Sequence, residues 1–559
     1  MKFKFLTILS IVLLGTFLRF YNLNWGAPFY FHPDERQNIA YPILTSKSIF
    51  MLDQNNFDTG TFPLTVMKII FSFINNNFHK KTPLDQLQLV ILISRFLSAI
   101  ISIGILFFLF HIVKKIFGAT KAFIALLLAT FSVGFIQFSH FGTVELWEAL
   151  FFLLLFFYSW RISKYNYKTD GIVCGILFGL ATATKILSII LIPTILTSFI
   201  YFIHNKPYSK NKLLSNVKKT IPVFLFFIFS AIVTFAITSL PLIENFSAAS
   251  NSIHFESEVA LGKISVFYTR SFVNTIPVIF QFTKIYPLLL NPFISILFIF
   301  SFISIIFLGF KNRNYAYLLL AIYYLLLFGV QSFFFVKWTR YMIPTLPFIY
   351  MIIGIAIDDW LKNLKEKTRN MGIFADILIM LIVIISFTFT LAFFSIYTHP
   401  DVRVTASNWI ENTLPQNSTV LVESGNVIDI PLKGNFNRLS LDFYDIDTDI
   451  KARSDVVFGL NSSDYFIIQS RRVFMNYQRL PNIYPVTANF YSKLFSGKLG
   501  FTQIKEFNSY PMLQFGNWKI EFPDETAEET WSVFDHPVIR IFKKTKQLSI
   551  EEYEKFLEI

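Results

Sequence analysis

QLVILISRFLSAIISIGILFFLFHI, residues 88–112, carries one formal charge, Arg95, in 25 residues. A helix rises about 1.5 Å per residue, so roughly 20 apolar residues cross the hydrocarbon core of a bilayer. The run reads as a transmembrane helix. Ten more apolar runs read the same way, near 3–20, 121–139, 146–160, 171–184, 186–203, 221–240, 287–309, 315–335, 341–357 and 373–396. Composition agrees. Of 559 residues, 54% are hydrophobic and 15% charged, against about 25% charged in soluble globular proteins. That excludes a soluble enzyme. No small-residue cleavage site follows the first run, which therefore reads as a retained span, not a signal peptide. The single cysteine, Cys174, excludes a disulfide scaffold and a cysteine-based zinc site.

The pair 171–184 and 186–203 decides the topology. Arg161, Lys164 and Lys168 precede it, and Lys206, Lys210, Lys212, Lys218 and Lys219 follow it. Connections rich in Lys and Arg stay cytoplasmic. Both flanks therefore predict one side, the chain crosses twice, and Lys185 sits at the far tip of the hairpin. Lys114, Lys115 and Lys121, then Lys311 and Arg313, then Lys362, Lys365, Lys367 and Arg369 mark further inner loops. With a cytoplasmic N-terminus and eleven crossings, everything after about Tyr397 lies outside. The net charge of +13 is then a topology signal, and no nucleic-acid partner is expected. The fold class predicted is mainly α: a polytopic bundle of about 11 transmembrane helices over residues 1–396, with a long outer loop at 21–86, in a multi-pass cell-membrane protein. Residues 397–559 change character. Thr405–Glu411 reads as a helix; Ser418–Glu423, Tyr465–Gln469 and Val538–Phe542 read as strands. A small extracytoplasmic α/β domain is the expectation.

The first outer loop holds His32-Pro-Asp-Glu-Arg36. Carboxylates at a membrane boundary can take a proton from a hydroxyl or bind a divalent cation. Pro33-Asp34 ahead of a helical stretch also reads as an ordinary turn and helix cap. The second outer loop, Ser139-His-Phe-Gly-Thr-Val-Glu145, leads into Leu-Trp-Glu148. Glu145 and Glu148 share a helix face, at a depth where ionisable groups usually meet a cavity or a partner; Glu145 also suits a helix N-terminus. His140 reads as an interfacial histidine. Lys185, Arg270 and Arg340 fall on the outer side, with Arg95 near the same face. Cations there can clamp a phosphate, or snorkel as anchors. The acidic run Asp524–Glu529 reads as a solvated face.

Taken in order, these stretches resemble the membrane glycosyltransferases of GT-C fold, family 39-like. The branch is the one holding protein O-mannosyltransferases and lipid A aminoarabinose transferases, in its prokaryotic part. The resemblance rests on His32–Arg36 after the first span, Ser139–Glu145 before the fourth, and Ala181-Thr-Ala-Thr-Lys185 at the hairpin tip. Arg340-Tyr-Met-Ile-Pro-Thr-Leu-Pro347, Thr405–Glu411 and Phe534-Asp-His-Pro537 complete it. It implies a catalytic role for Asp34 with Glu35 as partner, and for Glu145 at a position usually held by Asp. It also implies donor-phosphate binding by Arg36, Lys185, Arg340 and Arg270, with His140, Glu148 and Arg95 lining the cavity.

The implied reaction moves a sugar from a polyprenyl-phosphate carrier to an acceptor hydroxyl outside the membrane, with Asp34 as general base. The acceptor is a glycan, lipid or protein, and membrane lipid surrounds the site. No cofactor is required, although Asp34 and Glu35 could hold a divalent metal. The competing reading is a secondary transporter or flippase for a lipid-linked or anionic solute. Such proteins place their charges at the bilayer midplane on broken helices in two related halves; here the charges sit at the outer ends.

Overall fold

A computed structural model describes residues 2–46, 48, 57, 59–77, 82–204, 210–367, 369–424 and 429–559; Lys206 lies outside them. The chain divides into two compact units. The first comprises Met1–Leu23, Asp34–Lys263 and Ile276–Thr390, and the second Asn24–Pro33, Ile264–Thr275 and Leu391–Ile559.

The first unit is a helix bundle. Among the described residues, eight helices are long and apolar enough to span a membrane, and a bent pair, Ala119–Thr130 with Val133–Ser139, makes up to nine. The protein is thus a multi-pass membrane protein. Of the eleven runs, the first gives the shorter apolar helix Leu6–Phe20 and the 171–184 arm the 17-residue helix Lys168–Thr184. The latter carries Gly171, Gly175 and Gly179 along one face. A Cβ at Gly175 would lie 2.1 Å from Ser230 Oγ and 2.3 Å from Phe227 O; one at Gly171 would lie 2.5 Å from Val223 O. Small residues four apart let two membrane helices approach at backbone distance, and here they seat Lys168–Thr184 against Lys210–Thr238. The helix then breaks at Lys185, whose backbone is extended (φ −159°, ψ 125°), before the 3₁₀ turn Ile186–Leu191 and the helix Ile192–His204.

The second unit is α/β. Five strands, β1 (Thr419–Glu423), β2 (Asn437–Leu441), β3 (Tyr465–Ile468), β4 (Phe501–Phe507) and β7 (Ile539–Lys544), form a sheet in the order β2-β1-β3-β7-β4. Strands β1, β2 and β3 run parallel and β7 antiparallel to its neighbours. Alternation along the strands feeds two cores. Leu421, Phe466 and Phe542 pack with Phe490 and Tyr491 on one face. Val420, Val422, Ile467 and Ile541 pack with Ala406 and Ile410 of the helix Val402–Thr413 on the other. A separate hairpin, β5 (Met512–Phe515) and β6 (Trp518–Glu521), stands outside the sheet.

The run Asp524–Glu529 is not a solvated face. Asp524, Glu528 and Glu529 are buried. Glu529 pairs with Arg472, and Asp524 accepts from Trp531 Nε1 at 2.7 Å and meets His536 Nε2 at 3.0 Å. Buried cations and indole N–H groups need acceptors, and this run supplies them.

Glu423 closes β1 inside the core, where Tyr491 donates to its Oε1 at 2.6 Å. Burial, outweighing that hydrogen bond, pushes its carboxyl up to about 8 from an ordinary 4.5. Because the folded value is the higher one, unfolding releases a proton between those limits. Stability is therefore full below about pH 4.5 and falls as pH rises toward 8. Glu423→Gln keeps an acceptor for Tyr491 and removes the titration. The variant should melt above the wild type at pH 8 and together with it at pH 5, as read by thermal unfolding.

Candidate functional site

In the first unit, carboxylates from two connections meet cations from two others. Asp34 opens a π-helical turn, Glu35–Ala40. Its Oδ2 accepts from Arg340 Nη1 at 2.7 Å, and Asn38 Nδ2 approaches Oδ1 at 3.4 Å. Both side chains of the ion pair keep 23% of their surface, so a reactant can reach them. Arg340 lies on the 3₁₀ turn Thr339–Thr345, ahead of the helix Leu346–Lys367, with its guanidinium 4.5 Å from the Trp338 ring centre. Arg36 is half-buried on the same turn as Glu35.

A second ion pair joins the first through the long-range fields of its members. Lys185 Nζ lies 3.4 Å from Glu148 Oε2 and 5.1 Å from the Tyr341 ring centre. Glu145 and Arg340 both act electrostatically on Glu148 and on Lys185. Glu145 and Glu148 project from the first turn of the buried helix Glu145–Lys164. Among the described residues, Thr143 Oγ1, Glu145 Oε2 and Trp147 Nε1 are buried without a hydrogen-bond partner. Beside this cluster lies a cavity of about 270 Å³, walled by Lys185, Leu187, Ile253, Glu256, Phe334 and Tyr341 among others. It is apolar apart from Lys185 and the edge formed by Glu256 and Ser257.

Glu35 does different work from Asp34. It is fully buried, its Oε1 accepts from Arg95 Nε at 2.8 Å and Gly142 N at 2.6 Å, and its Oε2 accepts from Arg95 Nη2 at 2.6 Å. Arg95 Nη1 donates to Leu23 O at 2.8 Å. A guanidinium at membrane depth needs a carboxylate, and the two side chains tie the 21–86 connection to the one that carries Gly142. His140 is likewise fully buried, its two ring nitrogens 2.8 Å from Ile136 O and Tyr21 O. Arg95 and His140 brace the connections that carry Asp34 and Glu145. Glu148 meets the cavity wall at Lys185. Arg270 belongs to the second unit, where it donates to Tyr444 O at 2.7 Å and stacks between Tyr477 and Tyr484.

Glu35 has both oxygens committed and Asp34 holds Arg340. No group of three His, Cys, Asp or Glu side chains suited to a metal gathers among the described residues. As arranged, Asp34 and Glu35 each hold an arginine. Tyr341 and Gly60 escaped the sequence reading. Gly60 N donates to Thr184 O at 3.0 Å, and a Cβ there would lie 2.1 Å from Ala183 O. Gly60 thus lets the 21–86 connection press on the hairpin tip that presents Lys185.

Residues 88–235 match the family model described as dolichyl-phosphate-mannose-protein mannosyltransferase. That segment contains Arg95, His140, Glu145, Glu148 and Lys185. No curated protein matches the chain. Among solved structures, the oligosaccharyltransferase AglB of Archaeoglobus fulgidus, in complex with an inhibitory peptide and a dolichol-phosphate, is similar at 13% identity and TM-score 0.51 over 87% of this chain and 72% of that one. The same organism's oligosaccharyltransferase tethered with an acceptor peptide is similar at 13% identity and TM-score 0.50, covering 86% and 72%. ArnT from Cupriavidus metallidurans bound to undecaprenyl phosphate covers 96% and 97% at 12% identity and TM-score 0.49. The fold is that of the GT-C membrane glycosyltransferases.

Proposed function

We propose that this protein is a glycosyltransferase that moves a sugar from a polyprenyl-phosphate carrier to an acceptor hydroxyl on the extracytoplasmic side of the cell membrane. The observation that carries the reading is the partly exposed Asp34–Arg340 pair, 2.7 Å apart, in one cluster with Lys185, which walls an apolar cavity. A carboxylate alone could serve many chemistries. Paired with cations that can meet a phosphate, one of which, Lys185, walls a largely apolar cavity, it suits a lipid-borne donor. The solved relatives similar in fold, one bound to a dolichol-phosphate, favour the same class.

The acceptor oxygen attacks the anomeric carbon and passes its proton to an Asp34 oxygen. The bond from that carbon to the phosphate oxygen breaks, and the carrier phosphate leaves with the bonding pair. Arg340 and Lys185 neutralise the charge that builds on it, with Arg36 a further cation on the Asp34 turn. Fixed cations aimed at developing charge need no reorganisation during the reaction. Glu148 positions Lys185. Glu145, with one carboxylate oxygen lacking a protein partner, is suited to accept a hydrogen bond from a sugar or acceptor hydroxyl. Glu35 positions the Asp34 turn through Arg95. No step runs through a metal.

Purified protein in liposomes, given a panel of polyprenyl-phosphate sugars and extracts containing hydroxyl acceptors, tests the reading. Covalent transfer from one donor, with release of polyprenyl phosphate, is expected. Movement of solute across the liposome without covalent change would establish the transporter instead. Gly60→Ala adds a second check. Its Cβ meets backbone rather than a movable side chain, so the Lys185 tip must shift. Displacements of about 1 Å cost roughly 10²-fold in rate, and a loss of that order is expected with the protein still monodisperse in size-exclusion chromatography.

A further inference from the structure

The hairpin β5–β6 of the second unit has one wholly apolar face. Cross-strand partners share a face of a two-stranded ribbon. Leu513 opposes Ile520 and Phe515 opposes Trp518, so these four side chains stand together. The other face is polar: Gln514 opposes Lys519 and Met512 opposes Glu521, with Lys519 Nζ 2.5 Å from Glu521 Oε1. Gly516, at φ +58°, makes the two-residue turn. The apolar face is not packed. Trp518 is 80% exposed, Phe515 68% and Ile520 52%. Isolated ribbons are marginal in water, and exposed apolar patches mark interaction sites.

The neighbours of the hairpin say what covers it. From Phe507, whose ring lies 5.7 Å from Trp409, the chain passes a cavity walled by Val402, Pro400 and His399, and reaches Met512, whose N–H donates to Ser395 Oγ at 3.1 Å. Ser395 lies inside the apolar span Gly372–Thr398, one turn before its end. β5 thus starts beside the last turn of an apolar span. The hairpin's aromatic residues, Phe515 and Trp518, flank the turn.

We propose that the β5–β6 hairpin is an interfacial membrane anchor. Its Leu513–Phe515–Trp518–Ile520 face sits among the lipid headgroups and upper acyl chains, and Lys519 and Glu521 face water. Trp at the headgroup level with a Lys on the opposite face is the pattern of an interfacial element. The anchor gives the second unit a hold on the membrane additional to the last turns of the span, and it is independent of the transfer chemistry.

The test uses the full chain in lipid vesicles, with Cys174→Ala removing the one native thiol. Single variants Phe515→Cys, Trp518→Cys and Lys519→Cys carry an environment-sensitive fluorophore. Lipids spin-labelled near the top of the acyl chain should quench probes at 515 and 518 about threefold more than the probe at 519, with blue-shifted emission at the first two. Equal, weak lipid quenching at all three sites, with full quenching by aqueous iodide, would overturn the proposal. Energy transfer between differently labelled copies without lipid quenching would overturn it too, assigning the face to a second copy of the chain. Two independent apolar-face sites guard against a local effect of either substitution.

Discussion

Asp34→Asn abolishes most sugar transfer while leaving the protein folded. Asn keeps an oxygen that accepts from Arg340, so the turn and its partner stay in place, but it cannot take the acceptor proton. General-base assistance accounts for about 10²–10⁴-fold in rate, and a loss in that range is expected in initial rates from a polyprenyl-phosphate donor. The pair is partly open to solvent, and exposed pairs contribute about 1 kcal/mol or less, so the melting temperature should hardly move. A variant that transfers sugar at the wild-type rate would remove the base assignment.

Glu35→Gln, one position along, should behave in the opposite way. Glu35 and Arg95 have no exposed side-chain surface. Removing one charge leaves the other buried without its counter-ion, which costs about 3–5 kcal/mol. The expected result is a sharp fall in thermal stability in detergent and in lipid, before any assay of activity. Replacing both partners, as in Glu35→Leu with Arg95→Met, should recover most of the loss, because buried pairs exchanged for apolar side chains are often neutral or stabilising. Neighbouring carboxylates would then be separated by experiment into one that reacts and one that braces. A Glu35→Gln protein as stable as the wild type would contradict the bracing role.

Much of the architecture was legible because apolar length is a property of the local sequence. The spans, the break at Lys185 and the strands β1, β3 and β7 all announce themselves within a dozen residues. Strand β2, Asn437–Leu441, does not, since most of its side chains are exposed or only partly buried and its parallel partner is the only reason it is a strand. The GxxxGxxxG stripe at 171–179 and the alternating apolar residues around Gly516-Asn517 are also local signals, readable in the sequence though not used. The site is another matter. Asp34 and Arg340 are 306 positions apart, and no local pattern joins them. Sequence brings Asp34 and Glu35 forward together as catalytic candidates, with Arg95 and His140 as cavity lining, because all are ionisable residues near one face. What divides them is burial and partnership. Glu35, Arg95 and His140 are wholly buried among protein donors and acceptors, whereas Asp34 and Arg340 keep an open side. The acidic run at 524–529 went the other way for the same reason: its partners, Arg472 and His536, are supplied by the fold.

The most direct test of the central claim is a mass balance on the donor. With the purified protein in lipid and a polyprenyl-phosphate sugar bearing an isotopically labelled sugar, mass spectrometry counts both products. One polyprenyl phosphate released for each labelled sugar bonded to an acceptor, with neither formed by Asp34→Asn, is the predicted result. Intact donor throughout, across the whole panel of carrier-linked sugars and acceptors, would contradict it.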